Sequence, residues 1–326
     1  MRRSPLLSLA LAASACALPA CVSDTPPADV ATSASADVVD GGAGVEYGRA
    51  LMSLDQRVDG YFYWRAQPGA DARREADAAY AAVVSSVRLH ELRLLATLAD
   101  ASDPTRRRIA AKALAFSKSP QAVPALVSAL ADRGDATLLT NASLALAELR
   151  SPLVPAPPLL DLLTHPDRDV RNHALLALWH SMAARRAARA SALDPDEQRR
   201  ALPLLEAALY DPDDAFVRGH AAACLGAIAD PLTVDALLNV LPDPEPFVRL
   251  HAANALASVG DPKAIMPLVG VIDETPANST ARSAVLNALK MILERNGRTV
   301  PSGIPDNERA WRAFVNERLG PQLETQ

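Results

Sequence analysis

The sequence is short of cysteine, aromatic residues and positive charge, and each shortage excludes something. It has 3 Cys in 326 residues, too few for a disulfide-stapled scaffold. Cys16 and Cys21 both lie in the first 21 residues, which leaves Cys224 without an intramolecular partner; a buried, inert thiol is its plain reading. Aromatic residues make up 4% of a chain that is 49% hydrophobic, so a core has to be built from Ala, Leu and Val. The net charge of -5 opposes a nucleic-acid binder, and no nucleic-acid partner is expected. No P-loop, GxSxG, HExxH or CxxC pattern occurs, which removes the common phosphate, nucleophile and zinc motifs. With 14 Gly against 26 Pro, punctuation falls to proline, and many prolines recur at regular junctions.

Long apolar runs are missing too. The stretch from Leu6 to Leu18, behind Arg2 and Arg3, is shorter than the roughly 20 residues that span a bilayer and reads as an export signal. It ends in Leu18-Pro19-Ala20-Cys21, which resembles the lipobox of bacterial lipoproteins. That resemblance implies lipid attachment at Cys21; Ala13-Ser14-Ala15 offers an ordinary cleavage site and soluble export instead. Residues 22–44 are rich in Ser, Thr, Ala, Pro, Asp and Gly with no regular period, as in a flexible tether. Val22 and Ser23 follow the cysteine with no aspartate, so the expected location is the cell envelope, on the outer membrane facing the periplasm.

What is present is a phrase said six times. Leu114, Leu146, Leu178, Leu225, Leu256 and Leu289 follow one another at intervals of 32, 32, 47, 31 and 33 residues. Seven residues before each stand Arg107, Leu139, Arg171, Arg218, Arg249 and Arg282. Small residues fill the positions between, with Cys224 at one otherwise occupied by Ala. In the clearest copy, Val248, Ala252, Ala255, Leu256 and Val259 form one helical stripe. Gly260-Asp261-Pro262 then makes a corner, and Ile265, Leu268, Val269 and Ile272 form a second stripe. Ala72 to Asp100 reads as a degenerate first copy. The interval of 47 carries an insertion at about 183–200 that should lengthen a helix or project a loop.

The phrases VRLHAANALASVGDPKAIMPLVGVI and VRGHAAACLGAIADPLTVDALLNVL resemble HEAT-like repeats of the phycobilisome-lyase type, over roughly residues 71–296. The resemblance implies an all-α, right-handed α-solenoid of about seven antiparallel helix pairs, as in HEAT and armadillo superhelices. It also implies that Arg107, Arg171, Arg218, Arg249 and Arg282 form an inter-repeat ladder with acidic neighbours, broken at Leu139. The expected division is a signal peptide over 1–20, a tether over 21–45, an N-terminal capping segment over 46–70, repeats over 71–296 and a C-terminal capping helix over 297–326. Tyr61-Phe62-Tyr63-Trp64 is either a core cap or an exposed partner patch, and Trp311, Phe314, Val315 and Leu319 share one face of the last helix.

Three groups remain as candidate sites. His173, His220 and His251 stand in register, two residues after the ladder arginine. Helices pack at roughly 8–10 Å, whereas ligands of one zinc lie about 3–4 Å apart, so a metal is not expected. The row is either a buried edge of the core or an acid-sensing or partner contact. Deoxyhypusine hydroxylases hold iron on HEAT repeats through His-Glu pairs, and only His90-Glu91 matches here. Arg185, Arg186 and Arg189, with Arg199 and Arg200, are a basic patch for an acidic partner or anionic lipid, or a solvated helix face. The expectation is a non-catalytic scaffold with another protein as partner and no cofactor; the alternative is a lyase-type enzyme or accessory factor of the resembled family.

Overall fold

The computed structural model describes residues 42–277 and 279–319, and every regular element among them is helical. The proposed signal, Cys16, Cys21, tether residues 21–41, Asn278 and residues 320–326 lie outside the described residues, as does the side chain of Leu319. Among the described residues fourteen α-helices run in chain order, and the chain divides into two compact units, residues 1–119 and 120–326.

In the first unit, α1 (Gly42–Ala66), α2 (Ala70–Ala99) and α3 (Pro104–Ala113) pack on one another. Gly69, at φ 106°, makes the reversal between α1 and α2, a conformation that favours glycine. Asp103 caps α3 by accepting from Arg106 N at 3.0 Å, with Pro104 in the first turn. Leu51, Leu54, Val58, Val83, Val87, Leu94 and Leu98 form the core. The stretch expected to hold a degenerate helix pair is thus one uninterrupted helix, α2, partnered by α1. No Pro or Gly interrupts residues 70–99, so nothing ends the helix early. Tyr61 meets the Phe116 ring edge-on at 5.1 Å, while Tyr63 and Trp64 pack on each other and stay half-buried.

The second unit has two layers. Long helices α5 (Ala136–Leu149), α7 (Arg168–Ala187), α9 (Ala215–Ile228), α11 (Pro246–Val259) and α13 (Thr280–Arg295) stack in sequence, each on the next. Shorter helices α4 (Ala122–Ala129), α6 (Ala156–Leu160), α8 (Pro195–Leu209), α10 (Val234–Val240) and α12 (Ile265–Gly270) alternate with them, and α14 (Glu308–Leu319) ends the series. Each short helix packs closest to the long helix that follows it. Acidic caps start three of the long helices, with Asp135, Asp167 and Asp214 accepting backbone N–H groups of the first turn, and Ser279 caps α13. The six phrase leucines are all 0% exposed, which is how the Ala- and Leu-built core does without aromatics. The insertion lengthens α7 to 20 residues and α8 to 15, against 14 for α9 and 7 for α10. Asp194 and Glu197 form a capping box that fixes the start of α8.

Glycine sets the spacing of α9 and α11. A Cβ on Gly226 would sit 2.7 Å from Ala255 Cα, and one on Gly219 would sit 2.3 Å from the Phe247 ring. Trp311 is 1% exposed and Val315 is buried, anchoring α14 against α12.

Candidate functional site

The arginines at the starts of the long helices act on the loops around them. Arg171 donates through Nη1 to the His165 and Pro166 carbonyls, at 2.9 and 3.0 Å, in the loop before its own helix. It reaches forward through Nη2 to Asp211, at 2.7 Å, in the loop before α9. Arg218 repeats the pattern, with Nη1 on the Asp211 carbonyl at 3.0 Å and a two-pronged pair to Asp243 at 2.8 and 3.1 Å. The planar guanidinium fits such a fork, which Lys cannot reproduce. Arg282 donates to the Thr275 and Asp306 carbonyls and to Asp273 at 3.0 Å. Arg249 holds the Asp243 and Pro244 carbonyls, at 2.6 and 2.9 Å, and its buried Nε has no acceptor. Asp273, the carboxylate in the next loop, accepts instead from Arg282 and from Glu308 N. In the first unit, Arg107 Nε donates to the Leu98 carbonyl at 2.9 Å. Leu139, where the series has no arginine, is fully buried.

A second set of basic side chains works at the opposite helix ends. His180 Nδ1 donates to the Ala147 carbonyl at 2.8 Å, at the end of α5. Arg186 donates to the Ala227 carbonyl at 2.7 Å, at the end of α9. Arg295 donates to the Ala257 and Ser258 carbonyls, at 2.6 and 2.8 Å, at the end of α11. The two guanidinium groups also meet the negative end of the helix dipole. Sequence reasoning missed this set, although Arg in the last turns of α7 and α13 was a visible signal.

The basic patch expected in the insertion is correspondingly dispersed. Arg185 is enclosed by the Pro152, Val154 and Ala192 carbonyls and pairs with Glu197 at 3.0 Å. Arg199 pairs with Asp196, and Arg200 with Asp161. Arg189, at φ 61° in the turn after α7, is exposed. The carbonyls of the neighbouring corner take up guanidinium groups that a sequence shows only as charge.

The histidine row lies inside an aromatic cluster across α7, α9 and α11. His220 Nδ1 donates to Asn172 Oδ1 at 2.7 Å, and His173 Nδ1 to the Asp169 carbonyl at 2.7 Å. Trp179 reaches past α9 to meet His251 edge-on at 5.2 Å, and Phe247 lies 4.5 Å from the same imidazole. Phe216 packs on Phe247 at 5.0 Å. The rings of His220 and His251 are 6.1 Å apart, closer than ordinary helix spacing implies, because Gly226 lets α9 and α11 draw together. Burial pushes His220 well below the usual imidazole range, reinforced by His251, His180 and His173. Burial lowers His251 to about 4, and it also lowers His173, against the opposing pull of Asp169, Asp214 and Asp167. The row is therefore neutral at pH 7. Trp179, Phe216 and Phe247 remain half-buried and form its outer rim. Cys224 is buried and donates to the Leu175 carbonyl, and burial pushes its thiol pKa up. Among the described residues, no group of three or more His, Cys, Asp or Glu could hold a metal ion.

Stacked helices joined by ladders at both ends define an α-solenoid repeat protein. The chain belongs to the HEAT-repeat family: the model for HEAT repeats matches residues 92–179 and 201–290, more than half of its length. Among solved structures, an engineered protein is similar at 20% identity and a TM-score of 0.50, over 87% of this chain and 77% of that one. A designed armadillo repeat protein matches at 18% identity and a TM-score of 0.47, over 61% of this chain and 98% of that one. The complex of CpcE and CpcF of phycocyanin lyase from Nostoc sp. PCC7120 matches at 21% identity and a TM-score of 0.38, over 80% and 100%. At these identities the first likeness speaks to the fold alone, and the other two carry no argument. No curated protein matches the chain.

Proposed function

We propose that this protein is a non-catalytic interaction scaffold of the bacterial cell envelope, held to the outer membrane through lipid on Cys21 and presenting its repeats to another protein in the periplasm. One observation carries the scaffold reading. The side chains that offered themselves for chemistry are taken up inside the stack: Arg171, Arg186 and Arg218 join neighbouring repeats, His220 bonds Asn172 across α7 and α9, and His173 and His251 lie in the same aromatic cluster. The half-buried rim of Trp179, Phe216 and Phe247 over His173, His220 and His251 is the contact surface we assign to the partner. Large aromatics at a rim supply contact area at low entropic cost. The anchor is supported by Leu18-Pro19-Ala20-Cys21.

Cys21→Ser should move the protein from the membrane to the soluble fraction, and unchanged fractionation would remove the anchor. Crosslinking on intact membranes should capture a discrete partner with the native chain and lose it with Phe216→Ser, at a temperature where circular dichroism shows the variant still folded. Stoichiometric iron or a bound tetrapyrrole in the purified protein would instead favour an enzyme.

A further inference from the structure

The outer face of α2 in the first unit carries exposed apolar surface that its own unit leaves uncovered. Leu89 and Leu92 are 77% and 78% exposed, on a helix whose opposite face buries Val87, Leu94 and Leu98. Arg88, Leu89, Leu92, Arg93, Ala96 and Ala99 recur at steps of three and four, which places them on one side. The remaining sides of the same stretch are taken. His90 meets the Tyr47 ring of α1 at 5.8 Å, Thr97 bonds the Tyr47 hydroxyl at 2.9 Å, and Glu91 bonds Ser117 beyond α3. Arg93 lies over the Tyr47 ring at 5.4 Å, at the edge of the outward face, and Arg88 is exposed.

We propose that this face rests on an anionic lipid surface, with Leu89 and Leu92 entering the headgroup layer and Arg88 and Arg93 pairing with lipid phosphates. Two features select a membrane over other occupants. Leucines flanked by arginines are the amphipathic pattern of a helix lying in an interface, where the long cationic side chains reach back to the headgroups. The chain also enters α1 beside this face, because Tyr47 near the start of α1 touches His90 and Thr97 of α2. The inference rests on lipid at Cys21, from which the 20 residues before Gly42 span at most about 70 Å. That anchor alone keeps the first unit within reach of the bilayer.

The test uses the full chain as cells process it, with a nitroxide on Leu89→Cys, reconstituted on vesicles of phosphatidylcholine with about a quarter phosphatidylglycerol. Cys224 is buried and escapes the label. The docked face makes the nitroxide accessible to oxygen and shielded from a water-soluble nickel chelate. Arg88→Glu with Arg93→Glu should lower the docked-to-free ratio at least about thirtyfold, and vesicles without phosphatidylglycerol should do likewise. A chain that floats with the vesicles while its label stays open to nickel overturns the docking and leaves the anchor standing. A label shielded from both reagents and coupled to a second nitroxide overturns it in favour of another copy of this chain. Flotation that survives Cys21→Ser but is lost when the arginines are reversed supports the face and removes the anchor.

Discussion

At the scale of single residues, two kinds of position hold the second unit together. Gly226 is the first, since a methyl group there would overlap Ala255 across the helix contact. Gly226→Ala, mild on an isolated helix, should here cost about 1–3 kcal/mol through overpacking, read as a lower urea midpoint with an unchanged slope. A gain in stability would show that α9 and α11 do not approach as described. Arg218 is the second. Arg218→Met keeps the stem but leaves Asp243 facing the gap with a charge and only the Glu245 N–H as partner among its described bonds. The pair is largely shielded, at 15% and 9% side-chain exposure, so a loss of about 2–4 kcal/mol is expected. Asp243→Asn in the same background should recover part of it, and full additivity of the two would contradict the pairing.

At the scale of elements, the buried imidazoles couple α7, α9 and α11 to pH. His251 titrates in the folded chain near 4, below the ordinary value of about 6.5 that it regains on unfolding. The unfolded chain therefore takes up the proton first on acidification. The stabilisation is complete above about pH 6.5 and fades as pH falls towards the folded value. At pH 5.5 this residue alone should account for a loss of about 1.4 kcal/mol, before carboxylates titrate appreciably. His251→Phe should flatten the fall in melting temperature between pH 7 and 5; an identical slope would show that the imidazole is not held neutral. How much of this was readable differs by element. The Ala and Leu positions of the long helices show directly as a period, because each faces the same neighbour in every copy. The His row shows as a register, but its aromatic cover does not. Trp179 reaches His251 only because Gly219 and Gly226 thin the helix between them, a relation across more than seventy positions of sequence. The partners of the insertion's arginines stay hidden for the same reason, since carbonyls that receive Arg185 and Arg186 belong to other repeats.

At the scale of the molecule, the repeats of the second unit form a one-dimensional array in which each helix pair completes its dry face on its neighbours. The ladders follow the same logic, because Arg171, Arg186, Arg218 and Arg295 each satisfy groups outside their own helix. The short helices, of 5 to 8 residues apart from α8, are too brief to persist without that support. Buried imidazoles and paired guanidinium groups place the polar side chains of the stack in contacts between and within its repeats. The most direct measurement is the urea midpoint of the chain with its C-terminal helix pairs removed, first α13 and α14, then α11 and α12 as well. Mutual support predicts a midpoint that falls with each pair removed, whereas an unchanged midpoint would mean that the pairs fold independently and would contradict the account.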